Sequence, residues 1–178
     1  MNARDLFKVG GAALAIFVAP GAASAQQTLE PVRVTAMSRA EQLEMEADAL
    51  PTEVGQFKRA AKLFEQAAAA RPDGDAEKAT ALRKAAYLRY YSGDTRASGR
   101  LMEKAAEQSV VQGDVATAAN AFIDAALIAN ERTEIDRALV LGRRAETLVR
   151  SPRLDETQRA RLMGRIAGWN QIAMNYQK

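Results

Sequence analysis

Three Gly-Asp pairs, Gly74-Asp75, Gly93-Asp94 and Gly113-Asp114, divide the middle of this chain into segments of helical length. Glycine takes the left-handed backbone that ends a helix, and the aspartate after it caps the free amides of the next. The first and third pairs lie 39 residues apart, room for two helices and two turns. Helices joined by turns this tight lie antiparallel to their chain neighbours.

Between these marks the apolar residues recur at i, i+3 or i+4, and i+7, the spacing of one buried stripe. The spacing predicts seven helices, over 38–50, 52–71, 75–91, 95–112, 115–130, 133–150 and 155–174. The third carries Ala79, Leu82, Ala86 and Tyr90 on one face; the fourth carries Ser98, Leu101, Met102 and Ala105. Ala119, Phe122, Ile123 and Ala126 mark the fifth, and Ala138, Leu141, Ala145 and Leu148 the sixth. The seventh repeats the pattern with Leu162, Ile166, Trp169 and Ala173, and is expected to cover the end of the structure or to form a dimer contact. Pro51 and Pro152 sit at helix boundaries because proline cannot continue the hydrogen-bond ladder.

The chain begins with a different pattern. Arg4 and Lys8 precede an apolar run from Val9 to Val18, and Ala23-Ser24-Ala25 fits an A-x-A cleavage site. The run falls short of the roughly 20 residues a membrane span requires. We therefore expect residues 1–25 to be a signal peptide cleaved after Ala25, leaving a periplasmic or secreted product with no stable membrane span. Residues 26–36 follow as an extended or disordered linker, since Pro31 disfavours helix at Glu30 and Val32, Val34 and Thr35 favour strand-like dihedrals. Removing 25 of 178 residues leaves about 150, one domain able to bury roughly 70% of its unfolded surface.

The absences bound the chemistry. With no histidine and no cysteine, the chain has no zinc site of the usual N/S type, no Cys–His or Ser–His–Asp system and no thiol redox centre. Phosphate-binding glycine loops and the nucleophile-elbow motif are also missing. A formal charge of +3 gives little drive toward nucleic acid. No cofactor and no enzymatic activity are expected. The clustered carboxylates Glu41, Glu44 and Asp48 are the sole material for a hydrolase, which is the second alternative function.

Residues 55–72, GQFKRAAKLFEQAAAARP, place Gly55, Phe57, Ala60, Phe64 and Ala67 at helical spacing and close on Pro72. This order resembles the second helix of a tetratricopeptide repeat (TPR). Ala60, Phe64 and Ala67 correspond to Ser98, Met102 and Ala105, then to Ala138, Gly142 and Ala145, at spacings of 38 to 40 residues. The family standard is about 34. The aromatic position thus changes from Phe64 to Met102 to Gly142, and no helix carries the W-x2-L-G-x2-Y pattern of the family's first helix. The resemblance implies an all-α, TPR-like stack of antiparallel helical hairpins over residues 37–178. Such stacks hold a protein or peptide partner and carry no chemistry of their own. By the same resemblance, a groove would draw on the third and fifth helices through Arg83, Tyr87, Tyr91, Asn120 and Asp124. The expected function is an exported scaffold for protein–protein interaction in the bacterial envelope.

Three further segments carry competing readings. Thr28 to Ala36, with Val32, Val34 and Thr35, resembles the TonB box of outer-membrane transporters, which implies strand addition to the TonB protein. Leu154-Asp155-Glu156-Thr157-Gln158 is similar to the L-T-x-x-Q motif of Spy-family periplasmic chaperones, the first alternative function, but Asp155 replaces the threonine. A capping box between Asp155 and Gln158 explains the same residues. Between residues 137 and 165, eight arginines face three acids, a stripe suited either to an anionic partner or to ordinary surface pairing. Arg165, four residues before Trp169, is expected to stack on the indole.

Overall fold

A computed structural model describes residues 37–175, with side chains described through residue 172. The expected leader, its cleavage point and the 26–36 segment with Val32, Val34 and Thr35 lie outside the described residues, as does the side chain of Ala173.

The described residues are all-α, with seven helices and no strand. They are α1 (Arg39–Asp48), α2 (Val54–Ala70), α3 (Ala76–Tyr91), α4 (Thr95–Gln112), α5 (Val115–Glu131), α6 (Ile135–Val149) and α7 (Glu156–Asn175). Among these residues no helix is long and apolar enough to cross a membrane.

The punctuation behaves as its chemistry dictates. Gly74, Gly93 and Gly113 have φ of 84°, 84° and 79°, and Asp75, Asp94 and Asp114 accept from the backbone amides of Glu77, Ala97 and Thr117. A fourth mark was hidden. Thr133 takes φ 61°, and the amide of Glu134 bonds the carbonyl of Ala129, as Asp94 bonds Arg89 and Asp114 bonds Ser109. Helix α6 therefore begins at Ile135, two residues later than predicted. At the other end of the domain, Ser38 opens α1 with a capping box to Glu41.

Each helix packs on its neighbour in the chain, and α7 packs on both α5 and α6. The core follows the chain as two apolar clusters, one drawn from α1 to α4 and the other from α3 to α7, with Leu101 against both. Among the described residues, alanine supplies 20 of the 34 buried apolar side chains, so the helices approach closely and little space remains for a larger side chain. Phe64, at 3% exposure, is interhelical core.

Three expected positions differ. Gly55, set at helical spacing with Ala60, Phe64 and Ala67, is exposed with nothing near its absent Cβ, whereas Ala61 and Ala67 are fully buried. Tyr90 leaves the core stripe of α3, because its hydroxyl reaches Glu131 on α5 at 3.0 Å. Trp169 does not stack on Arg165 but lies over Gly142 of α6, its indole ring standing where a Cβ at 142 would be. The small residue at position 142 and the large one at 169 are thus one packing solution.

Candidate functional site

Helices α3, α5 and α7 bring a set of polar side chains together on one side of the core. The Tyr87 hydroxyl donates to Asp124 Oδ2 at 3.0 Å, 37 residues along the chain. Arg165 of α7 donates to the other carboxylate oxygen of Asp124, and to Asn120 Oδ1 at 2.5 Å. Asn120 in turn donates to the carbonyl of Ala116 at 3.0 Å, which fixes its amide with the oxygen toward Arg165. Arg83 sits one turn before Tyr87 and faces its phenol, with a buried Nε that has no partner in the described structure.

Each position follows from local sequence. The alanines of α3 and α5 hold the inner face, so Arg83, Tyr87, Asn120 and Asp124 fall on the flanks, half in and half out of solvent. Burial, and then the Asp124 charge, push the Tyr87 phenol above its usual value near 10. The phenol is consequently a neutral donor throughout the physiological range. Glu131 does the same to Tyr90, chiefly through their hydrogen bond.

Of the five groove residues expected from sequence, four therefore meet. Tyr91 stands apart from them, 64% exposed, its ring 6.2 Å from Phe57 and 5.9 Å from Tyr90. Arg165 was missed. Its offset of 41 residues from Asp124, close to one repeat, was the signal available.

Other expected groups have structural partners. Glu44 accepts from Arg71 at 3.0 and 3.1 Å, Asp48 accepts from Lys84 at 3.0 Å, and Glu41 closes the α1 capping box. Much of the arginine stripe on α6 turns to the acids of α4: Arg137 to Glu103 at 2.5 Å, and Arg144 to Glu107 at 3.3 Å. Arg144 also lies 4.1 Å over the Phe122 ring. Asp155 and Gln158 form a reciprocal capping box, with bonds of 2.7 and 3.2 Å. No group of three or more metal-binding acids occurs among the described residues.

No protein-family model, curated protein or solved structure matches this chain.

Proposed function

We propose that this chain is an exported, TPR-like stack of antiparallel helical hairpins that acts as a scaffold for a protein partner in the bacterial envelope. Bonding between alternate helices is the observation that carries the reading. Tyr87 to Asp124 joins α3 to α5, and Arg165 joins α5 to α7. On the even-numbered helices, Arg137 joins α6 to α4 through Glu103. Repeats of this kind contact their neighbours along one axis and present a continuous face.

In this reading, the odd-numbered helices line the partner face. Bonds among Tyr87, Asp124, Asn120 and Arg165 hold the side chains in place before binding, so little rotamer freedom is lost when a partner arrives. Tyr87 and Tyr91, 39% and 64% exposed, offer rings with polar tips, a composition common at interfaces. The leader, periplasmic location and strand contact of Val32, Val34 and Thr35 with TonB belong to the same proposal. It includes no catalytic role, since Glu41, Glu44 and Asp48 already serve caps and ion pairs.

A photo-crosslinking amino acid at position 87, compared with one at exposed Val140 on α6, tests the partner face inside cells. Discrete adducts from position 87 alone support the scaffold. Equal adducts from both sites, or a broad smear of unrelated clients with suppression of their aggregation, favour a chaperone instead.

A further inference from the structure

A second concave feature lies away from the Tyr87 cluster. It is a cleft of about 310 Å³ where the start of α4, the end of α5 and the start of α6 meet. Its floor is apolar, built from Gly99, Ala125, Ile128 and Ala129. Four arginines, Arg96, Arg100, Arg132 and Arg137, surround that floor, and Glu134 is the one carboxylate among the lining residues.

The arginines divide into two kinds. Arg132 is fixed by Glu134 at 2.8 Å and Thr95 at 3.2 Å, and Arg137 by Glu103 at 2.5 Å. Arg96 and Arg100 make no hydrogen bond or ion pair with any described residue. Glu134 is held below its ordinary value by Arg132 first and then by the Arg137 and Arg96 charges. The first turns of α4 and α6 both open here and add partial positive charge, which outweighs the partial negative charge of the single α5 C-terminus. Like charges gathered about an apolar hollow repel one another unless an anion enters.

We propose that this cleft binds a doubly charged oxyanion of the phosphate class, its oxygens held by the arginines and its attached group resting on the apolar floor. Guanidinium suits this ligand because its planar fork matches two oxygens at once. A dianion fits better than a monoanion, since Arg132 and Arg137 already have the carboxylates of Glu134 and Glu103, which leaves the two charges of Arg96 and Arg100 to be matched. The inference does not depend on the scaffold reading.

Calorimetric titration of the full chain with inorganic phosphate, at ionic strength held constant with chloride, tests it. We expect one saturable site and a raised melting temperature. The Arg96→Ala/Arg100→Ala variant should weaken binding by about tenfold or more, as expected for charge-assisted bonds. A Lys58→Ala/Lys62→Ala control removes the same charge from exposed positions on α2 and should bind as the native chain does. No saturation up to about 10 mM phosphate, or an equal loss in both double variants, overturns the site. Given saturation, cosedimentation with phosphatidic-acid vesicles but not phosphatidylcholine vesicles supports a lipid headgroup as the source. Binding of glycerol phosphate without cosedimentation supports a soluble ester.

Discussion

Trp169 lies over Gly142 so closely that a Cβ added at 142 would fall 2.1 Å from the indole Cη2. Gly142→Ala should therefore destabilise the native chain by about 1–3 kcal/mol through overpacking. Trp169→Ala should cost about 3–5 kcal/mol as a large-to-small core change. In the Trp169→Ala background, Gly142→Ala should become neutral or stabilising, because the clash is gone and alanine favours helix. Denaturant melts of the four proteins measure the cycle, and simple additivity would refute the pairing.

Ser98 is fully buried and its hydroxyl has no partner among the described residues, while the repeat-equivalent positions hold Ala60 and Ala138. Ser98→Ala should leave stability unchanged or raise it by about 1 kcal/mol, since no satisfied hydrogen bond is lost. A loss above that size in urea denaturation would mean the hydroxyl has a partner in solution.

Thr133 and Gly113 make an opposed pair of tests. Thr133 holds φ 61°, a costly conformation for a β-branched residue, so Thr133→Gly should stabilise by about 1 kcal/mol. Gly113 has φ 79°, and a Cβ there would meet Arg153 at 3.0 Å. Gly113→Ala should lower stability by about 1–2 kcal/mol. Thermal melts read both, with opposite signs expected.

Stability should decline at both ends of the pH range. Tyr87 and Tyr90 are raised by folding, so their contribution is complete below about pH 10 and is lost as pH climbs through their folded values. Asp73 is lowered chiefly by its bond to Lys78, Asp75 by the Glu77 amide and Glu134 by Arg132. Their contribution is complete above roughly pH 4 to 5 and is lost as pH falls through the lowered values. With no histidine in the chain, the folding free energy should show little slope between pH 5.5 and 7.

Much of the fold was written locally. The Gly-Asp pairs act through their own backbone and the next turn, so three helix junctions could be read directly. At the fourth the break itself was legible but the start of α6 fell two residues later, because the Glu134 amide bonds Ala129 and Thr133 takes a conformation its residue type disfavours. Gly142 looked like decay of the repeat signature because its missing volume arrives from another helix, at Trp169. For the candidate site, helical phase placed Arg83, Tyr87, Asn120 and Asp124 outside the buried stripe. Pairing across α5 and α7 depends on packing, and Arg165 was assigned to the wrong neighbour for that reason.

Order along the proposed stack is tested most directly by cysteine pairs and a short bis-maleimide, since the chain has no cysteine of its own. The pairs Asp48→Cys/Lys84→Cys, Tyr87→Cys/Asp124→Cys and Asp124→Cys/Arg165→Cys join successive odd-numbered helices and should each crosslink within one molecule. A pair bridging α1 and α7, Asp48→Cys/Arg165→Cys, should not. Efficient closure of that last pair within a folded monomer, with failure of the other three, would show helices arranged around a common centre and contradict the account.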